Sequence, residues 1–142
     1  MNDYAISTDK SKLNIDVIHS FLTTSYWAQG IPRATVERCI QNSLSFGAYC
    51  DDEQIGFARV ISDYTTFAYL ADVFVIEAHR GKGVSKMIMD EVIRHPQLQG
   101  LRRFVLGTRD AHGLYVKYGF TPLKAPDRWM EIHNPDVYVQ KT

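Results

Sequence analysis

Cysteine is scarce in this sequence of 142 residues. Cys39 and Cys50 are its two cysteines, and they form neither a CxxC pair nor a metal-ligand spacing. We therefore expect two reduced thiols in a cytoplasmic protein, because disulfides persist mainly in oxidising compartments. The five histidines show no short ligand spacing either, so a metal enzyme is not favoured and no metal is expected.

Long apolar runs and an excess of one charge are also missing. The longest apolar run, from Phe67 to Ile76, contains Asp72 and is much shorter than the roughly 20 residues that cross a bilayer. The N-terminus has no basic segment followed by an apolar one, so no signal peptide is expected. Lys and Arg number 16, as do Asp and Glu. We expect neither a membrane nor a nucleic-acid partner, and any anion must be recognised locally.

The chain is long enough for a single domain, residues 1–142, with its own core. Apolar spacing predicts elements in the order β-α-α-β-β-β-α-β-α-β-β. The predicted strands are 4–7, 46–50, 55–61, 67–76, 103–106, 120–121 and 129–132. The predicted helices are 14–26, 34–42, 83–94 and 111–118, the first capped by Asn14 or Asp16.

This order predicts an α/β (α+β) fold. Three consecutive strands form an antiparallel meander, and one strand–helix–strand crossover requires parallel pairing. The result is a mixed central sheet of six to seven strands with helices on both faces. The last ten residues are polar and are expected to be loosely held.

The most informative stretch extends from Val73 to Met87. An apolar strand ends there at a glycine-bearing loop, and the chain resumes as an amphipathic helix. The free N–H groups and the dipole of a helix N-terminus favour an anion, and Gly81 and Gly83 allow the backbone to approach it. Positive charge comes from three neighbouring residues, Arg80, Lys82 and Lys86. The stretch therefore predicts a phosphate site.

The glycine spacing narrows the ligand. Arg80-Gly81-Lys82-Gly83-Val84-Ser85 fits neither Gly-x-x-x-x-Gly-Lys-Ser/Thr nor Gly-x-Gly-x-x-Gly. An unrelated nucleotide-binding protein is therefore a poor alternative.

Two motifs, in order and separated by one strand, give the chain a family resemblance. Arg80 to Ser85 fills the pattern Gln/Arg-x-x-Gly-x-Gly/Ala, and Leu114 to Phe120 fills Leu-Tyr-x-x-x-Gly-Phe. With these motifs the chain resembles the GNAT superfamily of acyl-CoA N-acyltransferases, most strongly from Leu70 to Phe120. Ser85 departs from the pattern, since Gly or Ala is usual there, but serine is small and keeps its N–H group.

The resemblance implies acetyl-CoA as the co-substrate. Its pyrophosphate would lie on the loop and the first helical turn, at Arg80, Gly81, Lys82, Gly83, Val84, Ser85 and Lys86. The pantetheine arm would extend along the preceding strand through main-chain bonds, at Val73, Phe74 and Val75.

The resemblance also implies an N-acetyltransferase in which a primary amine attacks the thioester directly. In the family, a tyrosine at the position of Tyr115 commonly gives a proton to the departing thiolate. The alternative is a core aromatic whose hydroxyl binds the backbone. Asp72 is the candidate general base, because a carboxylate in an apolar strand is costly unless it is paired or functional. A bulge aspartate bonded to an N–H group, or proton loss to water, would be equally compatible.

The acceptor is expected to be a small-molecule or peptide amine. Tyr26 and Trp27 are the predicted substrate-binding residues, because the N-terminal helices form one wall of the site in this fold. Arg33, close by in sequence, would suit a carboxylate. Asp110 is expected to cap the next helix, and His112 to lie at the surface or in packing.

Two further possibilities concern the whole molecule. A non-catalytic acyl-CoA-binding sensor or interaction module with the same fold is the main alternative to an enzyme. A homodimer is also possible, because the terminal strand could pair across two copies.

Overall fold

A computed structural model of the protein describes residues 3–139, which form a mixed sheet covered by helices. The strands are β1 (Tyr4–Ser7), β2 (Leu44–Cys50), β3 (Glu53–Ser62), β4 (Phe67–Val75) and β5 (Arg103–Leu106). The α-helices are α1 (Ile15–Leu22), α2 (Arg33–Gln41), α3 (Val84–Arg94) and α4 (His112–Val116). The strand order is β1-β2-β3-β4-β5, with antiparallel neighbours except for the parallel pair β4–β5. The predicted fold class, with its meander and its crossover through α3, is confirmed.

Helix α1 begins as predicted and ends earlier than predicted. The Asn14 side chain accepts a hydrogen bond from the Val17 amide at 3.3 Å and so caps the helix. The expected extension to Tyr26 is wrong, because two hydroxyl groups take over the last carbonyls. Ser25 donates to the Leu22 carbonyl at 2.7 Å, and Thr24 donates to that of Phe21 at 3.1 Å. Tyr26 therefore lies in a loop.

The core has two parts, one on each face of the sheet. Apolar side chains of α3 pack on one face, among them Ile88, Met89 and Val92. Those of α1 and α2 pack on the other, where Phe57 and Phe74 of the sheet meet Ile18 and Leu22. Each fully buried side chain of this size contributes roughly 1.5–3 kcal/mol relative to exposure. The helices thus cover both faces, as predicted.

The two last predicted strands are absent, so the described chain has five strands and not six to seven. Pro122 and Pro126 lack N–H groups, and a 3-10 turn over Pro126–Arg128 interrupts the segment. Met130 and Ile132 alternate as in a strand, but they are 96% and 103% exposed. Their pattern was misleading because the described chain offers them no neighbouring strand.

Strand β4 contains a β-bulge at its centre. Asp72 and Val73 both lie opposite Ala58, between two regular register pairs, Arg59–Ala71 and Phe57–Phe74. Asp72 has a φ of 56°, a conformation that aspartate tolerates better than most residues other than glycine. The bulge re-aims the Asp72 side chain at the point where the strand turns toward the phosphate loop.

Strands β4 and β5 separate just before this bulge. The last register pair is Leu70 with Leu106, and no pairing to β5 follows it. The second half of β4 therefore has one edge that β5 does not cover. A gap between two parallel strands is a place where a ligand can reach main-chain groups.

The structure bears on three expected absences: a disulfide, a membrane-spanning helix and a metal site. Cys39 and Cys50 are free thiols. Over residues 3–139, no helix has the length and apolar content needed to span a bilayer. In the same part of the chain, no group of three or more His, Cys, Asp or Glu side chains is arranged to hold a metal ion. Independence from metal stays a prediction.

Candidate functional site

The phosphate loop has the backbone geometry that the glycines predicted. Gly81 and Gly83 have φ angles of 76° and 83°, a left-handed conformation that favours glycine. A Cβ placed on either glycine would meet nothing within 4 Å, so the space above the loop is open. The Met87 amide donates to the Gly83 carbonyl at 3.1 Å, as one of the first bonds of α3. The N–H groups of residues 84–86 precede it and are free for an anion.

Arg80 has a different contact from the one that the sequence predicted. Its Nε donates to the Val75 carbonyl at 2.9 Å, which fastens the start of the loop to the end of β4. Lys82 and Lys86 are exposed beside the glycines. Arg80 is exposed as well, so positive charge at the loop comes from all three residues, and Arg80 also fastens the loop to β4.

The uncovered edge of β4 lies directly before the loop. Ile76 donates its N–H to the Ile55 carbonyl of β3 at 2.9 Å. Successive residues of a strand direct their main-chain groups to opposite sides, so those of Val75 face away from β3. Phe74 faces β3 and contributes through its ring, which stacks on Phe21 with centroids 4.1 Å apart. The edge that a pantetheine arm could use is thus centred on Val75.

A cavity of about 530 Å³ occupies the gap between β4 and β5. It brings together five residues that the sequence predicted from separate segments: Tyr26, Trp27, Asp72, Val73 and Tyr115. Arg33 is not among its lining residues, because this arginine forms exposed ion pairs with Asp16 and Glu37. The expected carboxylate contact through Arg33 therefore has no support.

Tyr115 combines a packed ring with an unpartnered hydroxyl. The residue is 9% exposed, and its ring meets that of Phe120 edge-on with centroids 6.0 Å apart. Within the described residues, nothing forms a hydrogen bond with the hydroxyl, so the backbone-bonded alternative is not what the structure has. Burial, followed by the nearby Tyr26, raises the pKa of Tyr115 above its ordinary value of about 10. The phenol therefore stays protonated at neutral pH, as a proton donor must.

Asp72 is held by two donors. Its Oδ2 accepts from Arg59 Nε at 2.8 Å, and its Oδ1 accepts from Trp27 Nε1 at 2.9 Å. The side chains of Asp72 and Arg59 are only 9% and 14% exposed, so the ion pair is largely shielded from water. Arg59 also donates to Ser43 at 3.1 Å. The network fixes the Trp27 indole beside the cavity, and neither oxygen of Asp72 is left without a hydrogen bond.

Tyr26 links two loops at the mouth of the cavity. Its hydroxyl accepts the Arg109 amide at 3.2 Å, and the Arg109 guanidinium lies 3.9 Å from the centre of its ring. The loop after α1 is thereby joined to the loop after β5.

The prediction that Asp110 caps α4 is wrong. The hydroxyl that accepts a backbone amide before this helix is that of Thr108, which accepts the Ala111 N–H at 3.1 Å. His112 is exposed, as expected.

Sequence reasoning missed two residues of the site, Arg59 and Tyr138. Arg59 is a charged residue within a buried strand, the same signal that singled out Asp72, and it could have been found that way. Tyr138 lies in the last ten residues, which were expected to be loosely held, yet it lines the cavity. Nothing near it in sequence indicates this position.

Three features adjoin one another in this structure. The candidate phosphate loop follows the uncovered edge of β4, and that edge borders the cavity that Tyr115 lines. This arrangement has the shape that a transferase needs to hold an elongated, phosphate-bearing donor and bring its reactive end to a second substrate.

The model of the acetyltransferase (GNAT) family matches residues 14–120. A Gibberella zeae protein named for acetyltransferase activity is 31% identical over 138 residues, covering 81% of this chain and 77% of the relative. A GNAT-family crystal structure from Xanthomonas campestris is 55% identical, with a TM-score of 0.96 and 99% of both chains covered. A Clostridium acetobutylicum structure with acetyl-CoA shares the fold at 18% identity, with a TM-score of 0.66 over 94% and 96% of the two chains. The chain belongs to the GNAT family of acetyltransferases.

Proposed function

We propose that the protein transfers the acetyl group of acetyl-CoA to the primary amine of a small molecule or peptide. One observation supports this most directly: Tyr115, whose hydroxyl has no partner among the described residues, lines the cavity beside the uncovered edge of β4. A donor lying along that edge would present its thioester beside a protonated phenol. Most buried structural tyrosines have a bonded hydroxyl.

The proposed position of acetyl-CoA follows the line from loop to cavity. The pyrophosphate would accept N–H groups from Gly81 to Lys86, including that of Ser85. Each negative charge at a helix N-terminus gains about 0.3–1 kcal/mol when exposed. Lys82 and Lys86 would add attraction. The pantetheine arm would then use the main chain of Val73 and Val75, while Phe74 supports the strand from the core.

The proposed chemistry is direct attack without an enzyme-bound intermediate. The neutral amine nitrogen forms a bond to the thioester carbon, the carbon–sulfur bond breaks, and the thiolate takes the proton of the Tyr115 hydroxyl. The attacking nitrogen gives up its extra proton to water, which leaves the neutral amide, and Tyr115 is reprotonated from solvent. We assign Asp72 to orienting Trp27 against the acceptor, because Oδ1 of Asp72 accepts the Trp27 indole N–H and Oδ2 holds the ion pair with Arg59.

Two broader proposals accompany this function. Met130 and Ile132 are almost fully exposed in an extended segment, which supports a homodimer that buries them. Sedimentation of the full chain tests the homodimer, and a monomer at micromolar concentration would contradict it.

A cytoplasmic location is supported by the two free thiols, Cys39 and Cys50.

The proposed function predicts CoA release that depends on both acetyl-CoA and an amine. The panel is 2-phenylethylamine, spermidine, L-lysine and a lysine-containing tetrapeptide, with free thiol and the mass of the acetylated amine as readouts. Saturation with acetyl-CoA at about 100 times its Kd should stabilise the fold by roughly 2.7 kcal/mol, whereas ATP and NAD should not. Tight acetyl-CoA binding without turnover of any panel amine would instead favour the non-catalytic module.

A further inference from the structure

The last described part of the chain crosses the molecule without regular structure and ends in the active-site cavity. Its middle is anchored at Trp129, whose ring lies 4.9 Å from the Arg103 guanidinium of β5. A turn over residues 135–138 follows, with the Val139 amide donating to the Asp136 carbonyl at 3.0 Å. Between residues 131 and 139, Tyr138 alone is not exposed. The segment thus places a single side chain inward.

Tyr138 is held in place from two directions. Its side chain packs against the apolar cluster beneath α1 and α2. Its backbone meets Gly30, since a Cβ added to Gly30 would lie 3.2 Å from the Tyr138 carbonyl oxygen. Gly30 has a φ of 81°, so glycine here serves both the turn and the close approach. The C-terminal segment therefore packs against the loop between α1 and α2.

The hydroxyl of Tyr138 has no hydrogen-bond partner within residues 3–139. Among the described residues none forms a hydrogen bond with it, although the side chain lines the cavity together with Trp27, Asp72 and Tyr115. Burial raises the pKa of Tyr138, and the nearby Cys39 and Asp72 raise it further, whereas Arg59 lowers it. The phenol is therefore neutral at pH 7 and offers one donor and two acceptor lone pairs.

We propose that Tyr138 is an acceptor-binding residue: its hydroxyl accepts a hydrogen bond from the amine, and the C-terminal segment forms the wall that selects acceptors. This inference rests on the proposed function and deepens it. An N–H donor matches an unpartnered phenol oxygen, and the Asp72 charge nearby is balanced by its ion pair with Arg59. The phosphate loop is not part of the cavity that Tyr138 lines, so we expect the pyrophosphate contacts of the donor to be unaffected.

Replacing Tyr138 should therefore weaken the acceptor and leave the donor unchanged. In Tyr138→Phe the KM for 2-phenylethylamine is expected to rise about three- to tenfold, as for the loss of one hydrogen bond, while the KM for acetyl-CoA stays within twofold. Gly30→Ala, which lies outside the cavity, should reproduce this rise by displacing the segment. Tyr64→Phe, at an exposed turn, is the matched control and should change neither KM.

A binding measurement separates this inference from the proposed function. The chain labelled with 3-fluorotyrosine is titrated with 2-phenylethylamine in the presence of CoA, and Tyr138→Phe and Tyr115→Phe assign the two fluorine resonances. A shift of the Tyr138 resonance supports the inference even where the amine is not turned over. Turnover with an unchanged amine KM in Tyr138→Phe, or a Tyr138 resonance that does not move at saturating amine, would overturn it. Absence of turnover alone would count against the proposed function.

Discussion

Tyr115→Phe is expected to lower kcat about 10²- to 10⁴-fold, the range for loss of a positioned general acid, while the Kd for acetyl-CoA stays unchanged. The ring is packed at the edge of the core and its hydroxyl has no partner in the described chain, so the variant should fold normally. Steady-state CoA release, together with calorimetric titration of acetyl-CoA, measures both quantities. Because burial raises the pKa of Tyr115, kcat should not fall between pH 7 and 9 through loss of this proton.

Tyr118→Phe is the matched control for this prediction. It removes a hydroxyl that donates to the Lys86 carbonyl at 3.2 Å, on the same short segment but outside the cavity. Its kcat should remain within about threefold of the parent. A Tyr115→Phe variant with near-normal kcat would show that the thiolate leaves without this phenol, and the catalytic assignment would have to be withdrawn.

Asp72→Ala is expected to lower the free energy of unfolding by about 3–5 kcal/mol, because it leaves the guanidinium of Arg59 buried and unpaired. For a chain of this size, that loss corresponds to a fall in Tm on the order of 10 °C. Asp72→Asn should cost less, since asparagine tolerates the positive φ and keeps an acceptor for Trp27. Denaturant titration of the three proteins gives the comparison directly.

Asp16→Ala serves as the control for charge alone. Asp16 pairs with Arg33 at the surface, where solvent screens the interaction, so its loss should lower Tm far less than Asp72→Ala does.

The kinetics of Asp72→Asn separate the two possible roles of Asp72. A raised KM for the amine with kcat largely kept agrees with orientation of Trp27. A kcat lower by a hundredfold or more would assign the carboxylate to proton removal instead.

The predictable parts of this protein are those that depend on neighbours in sequence. Gly81 and Gly83 follow Arg80 by one and three residues. Their left-handed backbone angles are predictable because glycine, which has no Cβ, adopts them readily. The strand before them and the helix after them were recognised from apolar spacing. Tyr115 is a candidate from sequence because its motif is also local, and its catalytic role stays a prediction.

The parts that sequence reasoning missed depend on contacts across the fold. Arg59 and Asp72 lie on neighbouring strands, and only the register with its bulge brings them within 2.8 Å. Tyr138 reaches the cavity because Gly30, more than a hundred residues earlier, leaves room for its backbone. Met130 and Ile132 alternate like a strand, but alternation supplies no partner strand, and the described chain has none for them.

Amide hydrogen exchange with and without saturating acetyl-CoA tests the central claim most directly. The claim is that the donor lies along a line from the glycine loop, over the uncovered edge of β4, to Tyr115. Exchange should slow in peptides covering residues 73–75 and 81–86, with little change at the β2–β3 turn around Asp51. Protection elsewhere with an unchanged glycine loop would contradict the proposed binding mode.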